Sequence, residues 1–547
     1  MPETKKSYWG ISAVILIVLM IGLSLLNWRR FPFFLDIYYH LNVMRGFDAA
    51  GGVVAHSFRE LAPEGTVNLY PPLFHILLLI PYKLGFSALF IARAFSIAAF
   101  IFLLSTLHFI VSRLFTKKLG FFVTVAACIP YTFFLKSTIT IPATLTLIFI
   151  LWSFFAIEND RKIAAPILLA ASFYTHLGLP WLGILTFLIY GGFRKERMRP
   201  VLRAVFLSII LSLPIFIHLL ANFDTLESLF GIRALENELF EFYPLLYLFA
   251  AIGLLVAVCP HPSSPLRGEE KGEGNRCLFF VSLFIGLLPM AINYRFRLIS
   301  AEGLLPVVFF AGLGLEKGYD FLRDFFKAKN IDALTAGFYF SCLFVFINFF
   351  SPTISLYNTP IPPFEKKELA FYLRDSTAAN LLPIYKRHLR PLEISLYGHE
   401  AEHWLEIIEK KTGPDDIICS NYSYVGGMLS AFSGRANGAR LFYETKEPAR
   451  PVYEIGSSKL VVWLLEPDGH FSDGLKKCLE KYNFGKTAIT ESAVILLQDN
   501  APKSKPVKPI LPAKAAFLIL LLCSLLTYFD FARPRNKSNN LSKSSLE

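Results

Sequence analysis

The chain has 547 residues, 54% of them hydrophobic and only 18% charged, and Phe alone occurs 54 times. That balance is more apolar and less charged than a water-soluble domain, so composition excludes an ordinary globular protein and points to helices that face lipid. The net charge of +12 does not imply nucleic acid, because the basic residues sit in short clusters between apolar runs, as in cytoplasmic loops of membrane proteins.

Apolar runs recur near the roughly 20 residues needed to cross a bilayer. With no water to satisfy backbone groups there, each is expected to be a helix. The expected spans are 9–27, 87–112, 119–135, 141–157, 163–176, 178–192, 201–221, 244–259, 277–292, 301–316, 331–350 and 511–530. The first has no small-residue cleavage site after it and reads as an anchor. The run 72–84 is short and holds Pro81, so it reads as a helix lying at the membrane surface.

Alternate loops are basic: Lys5 and Lys6; Arg113, Lys117 and Lys118; Arg161 and Lys162; Arg194, Lys195, Arg197 and Arg199; Arg267, Lys271 and Arg276; Lys317, Arg323, Lys327 and Lys329; then Arg533, Arg535 and Lys537. The intervening loops are long or sparsely basic. The bias places both termini on the cytoplasmic side of a multi-pass protein in the cell membrane.

Two stretches read as non-membrane. Residues 352–508 carry a helical pattern over 400–411, strands over 416–420, 459–465 and 493–498, and a helix over 475–482, which together indicate an α/β domain. The segment 260–275 is rich in Pro, Gly, Ser and charge and reads as a disordered cytoplasmic insertion. The expected architecture is therefore an α-helical polytopic membrane protein of about 12 transmembrane helices. It divides into a membrane domain over 1–351, an extracytoplasmic α/β domain over 352–508 and a final span with its tail over 509–547. Seven cysteines show no metal-ligand spacing, and spacing leaves the pairing of Cys419 with Cys478 open.

The most informative stretch follows the first span: Phe34-Leu35-Asp36-Ile37-Tyr38-Tyr39-His40-Leu41. A carboxylate at the end of a membrane helix either reaches interfacial water or, deeper, costs about 2.5–3.5 kcal/mol and needs a partner. Asp36 alone thus also reads as a simple helix end, with Tyr38 and Tyr39 as interfacial aromatics. The chain continues through Pro63-Glu64-Gly65 to Tyr70-Pro71-Pro72-Leu73-Phe74-His75. In this order and spacing, Asp36, Tyr38, Tyr39, His40, Gly65, Tyr70, Pro71, Pro72 and Leu73 resemble the polyprenyl-phosphate-dependent glycosyltransferases of the GT-C superfamily. Among these, the oligosaccharyltransferase catalytic subunits of archaeal type and the dolichyl-phosphate-sugar glycosyltransferases are the nearest in look.

The resemblance implies a GT-C membrane fold and an aspartate, Asp36, that engages the acceptor nucleophile, often together with a divalent cation, Mg2+ or Mn2+. It implies a lipid-linked sugar donor as substrate; no nucleic acid partner is indicated, and protein partners are not legible. By topology, further polar residues share Asp36's outward side: Tyr38, His40, Lys136, His176, Arg295, Arg297 and Glu302 are the candidate substrate-binding set. Arg295 and Arg297 suit a phosphate clamp, since an Arg fork matches phosphate oxygens, although arginines also snorkel at interfaces. His176 also reads as a helix-end histidine. Asp224, Glu227, Arg233, Glu236, Glu238 and Glu241 read as a solvated acidic loop from which Glu236 or Glu241 could reach the site.

Two departures are visible. Where the oligosaccharyltransferases carry an acidic metal motif, this chain reads Lys136-Ser137-Thr138-Ile139-Thr140-Ile141-Pro142, without a carboxylate. Either Lys136 supplies the missing positive charge, or the metal is absent. Around 421–427 only an aromatic–Gly outline of the family's WWDYG segment survives, in Asn421-Tyr422-Ser423-Tyr424-Val425-Gly426-Gly427, so the acceptor is expected to differ from a glycosylation sequon. Two other classes stay open on sequence: a transporter or flippase of lipid-linked glycans, for which no internal repeat is found, and an inactive scaffold of the same fold.

Overall fold

The structure is a computed structural model that describes residues 8–32, 36–225, 240–258, 273–300, 302–329, 353–358, 367–372, 376–382, 394–439, 455–465 and 480–533, with five single positions between 335 and 347. In chain order its first helices are α1 (Trp9–Leu26), α2 (Asp36–Ala50), α3 (Leu73–Lys83), α4 (Ala88–Leu114), α5 (Lys117–Cys128) and α6 (Tyr131–Ile139). Then come α7 (Ile141–Glu158), α8 (Ala164–Phe173), α9 (Leu179–Phe193), α10 (Lys195–Ala221), α11 (Pro244–Val258) and α12 (Glu273–Leu287). The short α13 (Met290–Asn293) and α14 (Arg295–Ser300) lead into α15 (Leu304–Ala328). Beyond these lie α16 (Thr377–Leu381), α17 (Ile394–Lys411), α18 (Ser423–Ser433) and α19 (Ala513–Ala532).

Among the described residues six helices are long and apolar enough to cross a membrane: α1, α4, α7, α10, α15 with the turn before it, and α19. Five shorter apolar helices, including α8, α9 and α11, complete the bundle. The expected span 331–350 and the insertion 260–275 fall outside the described residues or nearly so, as does Cys478. Three expectations are corrected. The run 119–135 is not one span: proline lacks an amide hydrogen and disfavours helix before it, and Pro130 separates α5 from α6. Lys136 therefore lies on a helix rather than in a loop, and so does Asp36, as the first residue of α2. The run 301–316 continues to Ala328, because the charged residues beyond 316 project past the apolar bundle.

Stacked rings mark the core, with Phe154 against Phe279 at 3.8 Å and Phe280 against Phe309 at 3.7 Å, joining α7, α12 and α15. Where α11 crosses α15, a Cβ on Gly253 would meet the Phe310 carbonyl and one on Gly314 the Phe249 carbonyl, so only glycine allows backbones this close.

One end of the bundle gathers the basic loops. Glu158, fully buried, accepts from Tyr190 (2.8 Å) and pairs with Arg194 (3.0 Å), Arg197 (3.2 Å) and Arg276 (3.4 Å). Nearby contacts on this end join Arg276 to the Leu114 carbonyl at 2.6 Å and Lys118 to Asp320 at 2.5 Å. Arg161 donates to the Asp530 carbonyl at 2.7 Å, while the Asp530 carboxylate accepts from the Ile163 and Ala164 amides at 2.9 Å. The two helix ends thus cap each other: a carboxylate at the α8 N-terminus, a guanidinium at the α19 C-terminus.

The opposite end carries the strands. β1 (Gly52–Val53) pairs with β12 (Leu511–Pro512), just before α19, and β2 (His56–Ser57) pairs with β3 (Thr66–Val67). β4 (Phe240–Phe242), β5 (Thr353–Asn358) and β6 (Lys367–Tyr372) form an antiparallel sheet. A five-stranded sheet has the order β10-β11-β9-β7-β8, from β7 (Ile417–Ser420), β8 (Ala436–Asn437), β9 (Leu460–Leu464), β10 (Gly485–Ile489) and β11 (Ala493–Leu497). β7 runs parallel to both β8 and β9; all three are buried along their length, and β9 is apolar throughout, as a parallel strand covered on both faces requires. α18 packs directly on α2. Ser430 donates to the Asn42 side chain at 3.0 Å, Arg45 to the Phe432 carbonyl at 3.1 Å, and the Tyr38 ring meets Phe432 edge-on at 5.5 Å.

Candidate active site

α2 is a helix with two working faces, set by its period of 3.6 residues. Tyr38, Asn42 and Arg45 take the side against α18, while Asp36 and His40, four residues apart, share another side. His40 Nδ1 lies 2.9 Å from His75 Nε2 on α3. The Tyr70 ring stands 4.9 Å from His40, 5.8 Å from His75 and 6.2 Å from His176. His176 follows α8, and its Nδ1 accepts from the Gly178 and Leu179 amides at 3.2 and 3.3 Å, capping α9. That assigns the ring proton to Nε2.

The charge pattern is specific. Asp36 is half-buried, and the charges acting on its carboxylate are those of Arg297 and Lys136. Burial outweighs both and pushes the Asp36 carboxyl above its ordinary value. Arg297, its side chain 19% exposed, donates to the buried Glu302 at 3.1 Å and interacts further with Asp36, Tyr294 and Tyr70. Burial, reinforced by His75 and His176, holds His40 well below the ordinary imidazole value. Burial and then the Arg297 charge take His176 down to about 3. Both rings are neutral at physiological pH.

Asp36, His40, Lys136, His176, Arg297 and Glu302 thus converge, from four separate segments of the chain. Tyr38 instead faces α18, and Arg295 is exposed, its Nε donating to the Ala291 carbonyl at 3.2 Å. One neighbour was not singled out from sequence, and another was named only as a loop residue that could reach the site. His75 sits in the Tyr70–His75 motif and was signalled only by its place there. Glu241, expected in a solvated loop, is fully buried under the Tyr243 hydroxyl, which also meets Thr132 at 3.1 Å, one turn before Lys136 on α6.

The donor set does not fit a divalent metal. Among the described residues no three His, Cys, Asp or Glu side chains gather closely enough to hold one. Part of the donor capacity nearest Asp36 is already used: His176 Nδ1 by backbone amides, one lone pair of the His40–His75 pair in their mutual hydrogen bond, and Glu302 Oε1 by Arg297.

No family model matches the chain, and no curated protein matches it by sequence. Solved structures do. The archaeal oligosaccharyltransferase AglB from Archaeoglobus fulgidus, in complex with an inhibitory peptide and a dolichol-phosphate, aligns with a TM-score of 0.50 at 11% identity, over 84% of this chain and 70% of that one. ArnT from Cupriavidus metallidurans, bound to undecaprenyl phosphate, aligns with a TM-score of 0.50 at 13% identity, over 90% of this chain and 98% of that one. This chain shares their fold.

Proposed function

We propose that the protein is a membrane glycosyltransferase that moves a sugar from a polyprenyl-phosphate-linked donor to an acceptor on the extracytoplasmic side, with both termini cytoplasmic. The observation that carries this reading is the opposition of one half-buried carboxylate, Asp36, to two cations, Arg297 and Lys136. That polarity is what transfer from a phosphate-linked sugar needs. An acceptor O–H or N–H gives its proton to Asp36 as its lone pair attacks the anomeric carbon. The bond from that carbon to the phosphate oxygen breaks, and its electron pair leaves on the phosphate. A carboxylate with a raised pKa suits the proton, and fixed cations suit the charge that develops on the leaving group. The neutral imidazoles of His40 and His176 offer hydrogen bonds to sugar hydroxyls.

What supports this orientation is that the described basic residues Arg194, Arg197 and Arg276 gather on one carboxylate, Glu158, as the positive-inside bias expects of a cytoplasmic face. The five-stranded sheet and α18 lie on Asp36's side and rest on α2, so the extracytoplasmic unit borders the acceptor path. The test is sugar release or transfer by the purified protein from a panel of polyprenyl-phosphate sugars. Turnover that is lost in Asp36→Asn, with membrane insertion and folding intact, supports the assignment. Unchanged turnover in that variant would remove Asp36 from the mechanism.

A further inference from the structure

We infer that Lys136 holds the place a divalent cation would otherwise take at this centre, so that the protein binds and discharges its lipid phosphate without a metal. The inference rests on the reading above and deepens it. Three independent observations meet here. The segment 136–142 contributes a lysine and no carboxylate. The groups that act on Asp36 are both cationic, so a dication brought to that carboxylate meets repulsion from Arg297 and Lys136 rather than a second acidic ligand. No three candidate ligands converge among the described residues, and His176 Nδ1 and Glu302 Oε1 are already engaged.

The position of Lys136 on its helix is fixed through its backbone. It lies in the last turn of α6, and its carbonyl accepts from both the Thr140 amide and the Thr140 hydroxyl at 2.9 Å. The same helix is pinned one turn earlier, where the Thr132 amide donates to the Tyr243 hydroxyl at 3.0 Å, and by Phe134, whose ring meets Phe100 at 4.9 Å and Phe31 at 6.4 Å. Phe31 ends the segment that leads to Asp36, so the base and the ammonium are referenced to one packed group. When the bond from the anomeric carbon to the phosphate oxygen breaks, the phosphate gains one negative charge. Lys136 and Arg297 are the groups placed to receive it.

The test uses the full chain in nanodiscs, stripped with EDTA and compared with the same sample in Mn2+ or Mg2+. Binding of undecaprenyl phosphate is read by native mass spectrometry, and release from polyprenyl-phosphate sugars is read alongside. Equal binding and release in EDTA, a loss on the order of 10²-fold in Lys136→Met and substantial retention in Lys136→Arg are expected. Binding or release that vanishes in EDTA and returns with Mn2+ or Mg2+ overturns the inference while leaving the glycosyltransferase reading intact. Lys136→Met that behaves like the wild type also overturns it. No binding of the lipid phosphate under any condition overturns the parent reading, and this inference falls with it. The wild-type EDTA comparison does not depend on any variant folding.

Discussion

His40 Nδ1 and His75 Nε2, 2.9 Å apart on two different helices, fix each other's tautomer, one ring donating and the other accepting. Residues in such direct contact do not act additively. His40→Ala and His75→Ala are expected to lower turnover to similar extents, with the double variant little worse than either single one. Kinetics of the three proteins check this. Losses that multiply would show that the two rings act separately.

Acidification should destabilise the fold before it protonates Asp36's neighbours. Burial depresses both His40 and His176, the latter to about 3. The unfolded chain takes up protons on these imidazoles below roughly 6.5, while the folded one does not. The unfolded state therefore binds more protons, and stability is expected to fall as pH drops from about 6.5. Thermal melts of the detergent-solubilised protein between pH 7.5 and 4.5 measure this. Replacing His176 with Gln should flatten the slope.

The raised Asp36 carboxyl predicts the acid limb of the rate profile. The base must be ionised, so kcat/KM is expected to rise with pH through a value above the ordinary ~3.9 of aspartate. A limb at or below that value would mean a carboxylate bathed in solvent rather than the half-buried group described above.

Arg297 and Glu302 form a partly buried pair at 3.1 Å. Removing either partner strands a charge, at a cost of about 3–5 kcal/mol for fully buried pairs and less with the 19% exposure of the Arg297 side chain. Glu302→Gln should lower the melting temperature and weaken phosphate binding through misplacement of Arg297. A double-mutant cycle with Arg297→Gln should return a coupling of roughly 0.5–3 kcal/mol. Zero coupling would dissolve the pair as a unit.

At the other end of the bundle, Glu158→Ala leaves Arg194, Arg197 and Arg276 without their common carboxylate. The expected loss is on the order of 3–5 kcal/mol, read as a lower midpoint of thermal unfolding, with catalytic constants of the folded fraction unchanged because the cluster is remote from Asp36.

The helical, largely apolar character of the chain was legible because apolar length answers to the bilayer, a solvent the sequence meets residue by residue. The same physics explains where boundaries slipped. Window hydropathy cannot see that Pro130 cuts one apolar run into α5 and α6, nor that α10 and α15 include charged turns beyond their apolar runs. At the site, Asp36 and His40 stood out through their spacing and the motif around them. The choice of Arg297 over Arg295 did not, since two residues' separation on a short helix sends one guanidinium inward and the other to solvent. Glu241 was named as able to reach the site, but its burial was not legible, because it depends on a strand, β4, that pairs with a segment more than a hundred residues later.

Helix α19 comes after the other elements described, and it completes structure at both ends of the bundle. Its approach strand supplies the partner for Gly52 and Val53, two residues beyond α2, and its far end supplies the carboxylate that caps α8. Without residues 511 and 512, the helix that carries Asp36 leads into an unpaired strand. One late segment thus ties together two distant parts of the chain, so removing residues 511–532 is expected to loosen the Asp36 end and the basic end at once.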